Sequence, residues 1–311
     1  MIRLSIIIPF YNVEQYIAQC LDSVYQQDIP EEEYEVICVD DCSPDNSITL
    51  VEQYAKKHAN LVIVRNQINR KLGGARNAGI EVAKGEYVWY VDSDDFVKPN
   101  VFKRLLEEAE KNDLDVLHFN YAEYPKDIIN IRLHADTEVM SGPDMFFNPS
   151  LRWWHDLITA WRKLYKRQFL LDNHLLFAEH IMYEDNDYAI QVFANAMRVK
   201  HVIEKVYYYR NNPDSITRVN YTAAHVDYWL KLCHRLVRIK AEFEREGKDI
   251  RFDDAIADFI RNTIRNTIRA YQQMERDEKK STRKVVYEHI DASLKPYISR
   301  KSYYLLKLHI L

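Results

Sequence analysis

Glycine is scarce in this chain, at 6 of 311 residues, or about 2% against a usual share of about 7%. A glycine kept under such depletion marks a backbone position that side chains do not tolerate. Four of the six (Gly73, Gly74, Gly79, Gly85) fall within thirteen residues. Cysteine is sparse too. Cys20, Cys38, Cys42 and Cys233 form no C-x-x-C pair and no zinc-spaced cluster with histidine, which argues against a disulfide scaffold or zinc ribbon. They read as reduced thiols of a cytoplasmic protein. No apolar run approaches the ~18–20 residues that cross a bilayer, and the chain does not open on a basic region followed by a long apolar stretch. The expectation is a protein neither exported by a visible signal nor integral to a membrane.

Net charge is small as well, with 43 Lys and Arg against 47 Asp and Glu. That balance does not suit a nucleic-acid binder. Apolar residues at 47% and charged residues at 29% fit a folded globular protein. The charge is unevenly spread, however. From Ala223 onward 19 Lys and Arg meet 13 Asp and Glu, a net of +6, which leaves −10 for the rest.

The length suggests two domains at roughly 150 residues each. The first 120 residues alternate strand and helix signals. Leu4–Pro9, Tyr34–Asp40, Leu61–Val64 and Tyr87–Asp92 are short apolar runs suited to strands buried on both faces, with Val116–Tyr121 a fifth. Amphipathic stretches lie between them at Val13–Gln26, Ser47–Lys57, Gly74–Lys84 and Asn100–Lys111, with Asp45 and Asn46 as cap candidates for the second. This order specifies an α/β fold, a doubly wound and mostly parallel sheet. Ligands of such sheets bind beyond the carboxyl ends of the strands. From 130 to 220 the pattern weakens and aromatics crowd in, with a helix expected over Tyr183–Asn195. The remainder is helical, and Phe252, Ile256, Phe259, Ile260, Ile264, Ile268 and Tyr271 share one face.

The strand ends carry the chemistry. The first runs into Pro9-Phe10-Tyr11-Asn12, the second into Asp40-Asp41-Cys42-Ser43, the fourth into Asp92-Ser93-Asp94-Asp95. Five carboxylates on one sheet edge need a cation or hydrogen-bond donors to offset their repulsion. A D-x-D at a strand end suits Mg²⁺ or Mn²⁺, which take one or two carboxylates plus phosphate oxygens; helix capping is the plain alternative. Gly73–Gly79 opens a helix in this reading, so that backbone N–H groups and Arg76 face an anion. Neither a G-x-G-x-x-G fingerprint nor a Gly-Lys-Ser/Thr phosphate loop is present.

Taken together, Ser5–Asn12, Asp40–Asp45, Gly74–Gly79, Gly85-Glu86-Tyr87 and Asp92–Asp95 resemble glycosyltransferase family 2, over about the first hundred residues. Weaker matches follow at Lys163-Leu164-Tyr165, Tyr183-Glu184-Asp185, Tyr207–Arg210 and Ser215-Ile216-Thr217. The layout is similar to members that build bacterial surface polysaccharides. The resemblance implies a GT-A fold, residues 1–222 as catalytic domain (1–122 binding the nucleotide sugar, 123–222 on the acceptor side), and a helical region over 223–311. It implies an inverting, metal-dependent enzyme that moves a sugar from a nucleotide diphosphate, UDP above all, to a surface-glycan or lipid-linked hydroxyl. Pro9 and Tyr11 would border the nucleobase and ribose, and Asp41 would accept from a pyrimidine N–H. Arg76 would face the donor and Asp92 the ribose or a metal-bound water. Asp94 would bind Mn²⁺ or Mg²⁺, and Asp185 would be the general base.

Two other readings stay open. A sugar-1-phosphate nucleotidyltransferase also uses a doubly wound sheet and a metal, but wants a glycine-rich loop after the first strand, where Phe10-Tyr11-Asn12 has none. A non-catalytic nucleotide- or glycan-binding module would not need Asp94 and Asp185. Trp153, Trp154 and Trp161 suit either an acceptor sugar or a core. Tyr207–Tyr209 reads as an alternating strand and Arg261, Arg265 and Arg269 as a solvated row. The basic C-terminal part, ending in Tyr303–Leu311, also suits weak peripheral contact with an anionic membrane face.

Overall fold

An unbroken apolar run needs cover on both faces, and β1 (Leu4–Phe10) receives it, being buried at every residue. The computed structural model describes residues 1–128, 133–151, 156–212 and 221–309, with side chains as far as Tyr304. Trp153, Trp154 and Ser215–Thr217 lie outside the described residues. The other strands are β2 (Tyr34–Asp40), β3 (Leu61–Arg65), β4 (Tyr87–Tyr90), β5 (Phe96–Val97), β6 (Val116–Tyr124), β7 (Lys163–Lys166) and β8 (Val199–Arg210). Among the described residues they form one eight-stranded sheet in the order β3-β2-β1-β4-β7-β6-β8-β5. β3, β2, β1 and β4 run parallel, as the strand–helix alternation predicts. Beyond β4 the sheet is mixed: β7 is antiparallel to β4 and β6, and β5 to β8, whereas β6 and β8 are parallel.

Helices α1 (Ile17–Tyr25), α2 (Ser47–Ala55), α3 (Lys71–Val82) and α4 (Phe102–Lys111) connect the early strands. α5 (Gly142–Phe146), α6 (Arg167–Asp172) and α7 (Asp185–Asn195) follow. Two boundaries differ from expectation. β4 stops at Tyr90 rather than Asp92, because Val91 makes the last ladder bond to Ile7 and the chain then turns on Asp95 N–H to Asp92 C=O at 3.0 Å. α3 opens at Lys71 rather than Gly74, so Gly74 and Gly79 lie inside the helix. Close packing explains them: a Cβ at Gly79 would sit 2.3 Å from Ile7 Cγ2, and one at Gly74 2.3 Å from Arg70 Cβ.

The chain divides into two compact units, one of Met1–His180 with Tyr188–Asn212, the other of Ile181–Asp187 with Pro213–Leu311. In the second, α8 (Ala223–Glu246), α9 (Arg251–Gln273), α10 (Arg276–His289) and α11 (Arg300–His309) follow one another. Thr222 and His225 form a capping box at the start of α8, and Gly247 ends it at φ 67, a left-handed cap that glycine adopts without strain. The apolar stripe of α9 is buried from Phe252 to Tyr271, with Phe259 half-buried, whereas Arg265 and Arg269 are exposed and Arg261 pairs with Asp258. That row is a solvated face. No helix among the described residues is long and apolar enough to cross a membrane.

Candidate functional site

β1, β2 and β4 end on the same edge of the first unit, so their trailing loops are neighbours. Two of them are tied together by hydrogen bonds. Ser43 Oγ accepts from Asn12 N–H at 2.7 Å, Ser47 Oγ from Val13 N–H at 3.0 Å and Asp45 Oδ2 from Glu14 N–H at 2.9 Å. Pro9 is buried within β1, and Tyr11 stands half-exposed at the mouth of the loop, with 50% of its surface open. Asp41 is buried, and its Oδ1 accepts from Asn66 Nδ2 at 2.7 Å and Arg70 N–H at 2.8 Å. Asn69 Nδ2 donates to the Asp41 backbone oxygen. The carboxylate is thus aimed by the segment between β3 and α3.

The same segment is pinned from behind. Arg70 pairs with Glu179 at 2.5 Å, and that guanidinium holds the Glu179 carboxyl below its ordinary pKa. Asn77, on α3, brackets Phe177 with both ends of its amide, at 2.9 and 3.0 Å.

The Asp92–Asp95 loop assigns a different task to each carboxylate. Asp92 is half-buried, and its Oδ1 accepts from Arg76 Nη2 at 2.9 Å. Arg76 is fully buried and lies 5.0 Å over the Phe177 ring. Arg76 thus pairs with this chain's own Asp92. Asp95 is buried, accepting from Tyr207 hydroxyl and Arg210 N–H, both at 2.7 Å. Burial, reinforced by Asp94 and Asp92, pushes its carboxyl well above the usual range. Asp94 is half-buried, its Oδ2 accepting from Asn212 Nδ2 at 3.1 Å. Arg210 Nε donates to the Asp94 backbone oxygen at 2.7 Å, while its guanidinium lies 5.2–5.4 Å from the rings of Tyr16, Phe96 and Tyr124. The loop is thus fixed through Asp95, and Asp94 stands on it with part of its surface in solvent.

Asp185 belongs to the second unit. It begins α7 and is half-buried, between buried Glu184 and half-buried Asn186. Trp161 is a core residue, stacked on Tyr207 at 4.4 Å and 17°. Among the described residues no group of three or more His, Cys, Asp or Glu could hold a metal by itself.

The family model described as Glycosyl transferase family 2 matches residues 5–180, more than half of the chain. The chain belongs to glycosyltransferase family 2. The uncharacterized glycosyltransferase EpsJ of Bacillus subtilis (strain 168) is 38% identical over 227 residues, which cover 71% of this chain and 64% of EpsJ. Poly(ribitol-phosphate) beta-glucosyltransferase of Bacillus spizizenii is 33% identical over 215 residues, 67% of this chain and 32% of that protein. The chain thus spans less than two thirds of the length of either relative. The crystal structure of S. aureus TarS 1–349 in complex with UDP-GlcNAc has a TM-score of 0.73 with this chain at 22% identity, covering 98% of this chain and 84% of that one. This family 2 member has the GT-A fold. The match leaves the nucleotidyltransferase alternative without support.

Of the expected site residues, Pro9, Tyr11, Asp41, Arg76, Asp92 and Asp94 share the edge of the first unit, and Asp185 lies in the second. Asn66, Asn69 and Arg70 were missed as the holders of Asp41, and Asn212 as the partner of Asp94. Nothing in a single sequence marks such partners. Tyr207 and Arg210 carried one signal, the resemblance of Tyr207–Arg210 to the family pattern, but their strand setting hid their task of fixing Asp95.

Proposed function

We propose that this family member is an inverting glycosyltransferase that moves a sugar from a UDP-sugar to a hydroxyl of a surface glycan or lipid-linked acceptor. The observation that carries this reading is the pairing, on one sheet edge, of the buried Asp41 with the Asp92–Asp95 loop. Both Asp41 bonds fall on Oδ1, and Oδ2 is assigned to the ring N–H of uracil. Pro9 and Tyr11 border the base and ribose. Arg76 acts through Asp92, neutralising it and holding it toward the ribose side. The TarS complex with UDP-GlcNAc supports a UDP-linked donor, and the poly(ribitol-phosphate) relative supports a surface-glycan acceptor.

The donor set fits a divalent cation held partly by the substrate. Asp94 is half-buried and its Oδ2 accepts from a neutral amide, that of Asn212, so it can contribute a charged oxygen. Mg²⁺ and Mn²⁺ take one or two carboxylates and complete their shell with phosphate and water, so such a cation needs no all-protein cage. When bound, the cation offsets the charge that develops on the diphosphate leaving group. The buried Asp95 contributes no ligand; it anchors the loop. Direct displacement with inversion needs one base on the acceptor hydroxyl, and Asp185 is assigned that role. A nucleotide-sugar donor suits a cytoplasmic site, with the basic second unit at the inner membrane face.

Calorimetry with UDP and Mn²⁺ tests the assignment of Asp94. Asp94→Ala should abolish metal-dependent UDP binding while the melting temperature is kept. Unchanged metal-dependent affinity would overturn it.

A further inference from the structure

The segment that carries Asp185 is held by α8 on both sides. Tyr183 has φ 68, a left-handed conformation that is strained for a bulky aromatic residue. Its ring lies 6.0 Å from that of Trp229 on α8, and Trp229 also meets Tyr221 at 5.3 Å. The Tyr183 backbone oxygen accepts two bonds from Asn186, from the backbone N–H at 3.2 Å and from Nδ2 at 2.8 Å. These bonds close a turn around Glu184 and Asp185. Two residues beyond Asp185, Asp187 has no exposed side-chain surface, and its Oδ2 accepts from Arg235 Nε at 2.9 Å and Nη2 at 2.7 Å. Arg235 also belongs to α8.

A strained aromatic and an ion pair on a buried carboxylate, four residues apart, thus fasten one short turn to one helix. Each device is expensive where stability alone is at stake. A left-handed tyrosine persists only when its surroundings over-determine it. Burying the Asp187 carboxylate costs desolvation that its attraction to Arg235 must offset, so the pair gains little in stability over apolar residues of the same volume. What the two fix in common is the direction of the residue between them. Half-buried Asp185 is that residue, while the flanking Glu184 and Asp187 are buried.

We infer that Arg235 is a positioning residue for the transfer reaction: through Asp187, and together with Trp229 against Tyr183, it sets the aim of the Asp185 carboxylate. This inference rests on the assignment of Asp185 as the base.

The experiment compares Arg235→Gln, Arg235→Lys, the double variant Asp187→Leu/Arg235→Met and Asp185→Asn for kcat, KM of the donor, UDP affinity and melting temperature. Misplacing a catalytic group by about 1 Å can cost about 100-fold in rate, so Arg235→Gln should lose between ten- and a hundredfold in kcat with donor KM and UDP affinity unchanged. Arg235→Lys, which keeps the charge, should recover a large part of that loss. If Arg235→Gln fails to fold, the double variant decides, because apolar replacement of both partners preserves a core; its kcat should fall while it melts as the parent does. A folded Arg235→Gln or double variant with kcat within twofold of the parent overturns the inference. Asp185→Asn should lose the 10²- to 10⁴-fold typical of a general base. If it keeps normal transfer, the base assignment fails; if it is impaired and the Arg235 variants are not, only the positioning role fails.

Discussion

Both hydrogen bonds on Asp41 Oδ1 come from the segment that leads into α3, which makes this carboxylate part of the fold as well as of the proposed donor site. Asp41→Ala would therefore loosen a loop and remove a ligand contact at once. Asp41→Asn separates the two effects, because the amide oxygen can still accept from Arg70 N–H while its NH₂ opposes the uracil N–H. A hydrogen bond to a charged group is worth roughly 1.5–3 kcal/mol, or about 10- to 150-fold. UDP affinity should fall by that factor in Asp41→Asn, with ribose diphosphate affinity unchanged. Titration of both ligands checks this, and equal losses would make Asp41 structural only. Arg76 carries the complementary lesson. Its guanidinium has no exposed surface and is paired with Asp92, so any effect on a donor is proposed to pass through that carboxylate.

At the scale of elements, β6 and β8 are joined by a buried histidine pair. His118 Nε2 faces the Asp156 carbonyl at 2.9 Å, so it donates there, and His118 Nδ1 must then accept from His201 Nδ1–H at 2.7 Å. Both rings are neutral in this arrangement. Burial, and then the nearby Arg162, pushes His201 down to about 4, and His118 is likewise lowered by burial and Arg162. The unfolded chain regains an ordinary histidine pKa of about 6.5. Between those values the unfolded state binds a proton that the folded state refuses, so stability is complete above pH 6.5 and falls toward pH 4. For His201 alone the loss is on the order of 3 kcal/mol. Thermal melts should drop steeply from pH 7 to pH 4.5, and less so in His201→Gln. The same slope in the variant would remove the pair as the cause.

For the whole molecule, the division of charge has a physical consequence. The stretch from Ala223 carries a net +6 while the rest carries −10, and in the last helix Arg300, Lys301 and Tyr304 are exposed. Each Lys or Arg near an anionic lipid surface contributes about 1 kcal/mol at low salt. The intact chain should sediment with phosphatidylglycerol vesicles at low salt and be released by salt or by deletion of Arg300–Leu311. Failure of the intact chain to bind at low salt would remove the proposed membrane contact.

β1 and β2 were legible in the sequence nearly to the residue, because a strand buried on both faces writes itself as a continuous apolar run. The stripe of α9 was legible for the same kind of reason, since a one-sided helix repeats with its own period. The carboxylates at the strand ends were legible because topology alone brings them to one edge. Tertiary structure decided what each of them does. Asp95 became an anchor through Tyr207 and Arg210, more than a hundred residues away, and Arg76 was turned inward onto Asp92. Gly79 proved to be a contact with Ile7, and residues 181–187 grouped with helices that follow them by dozens of residues. Periodicity is a local property and can be read along the chain. Which polar group meets which depends on contacts between distant segments, and those exist only once the chain has folded.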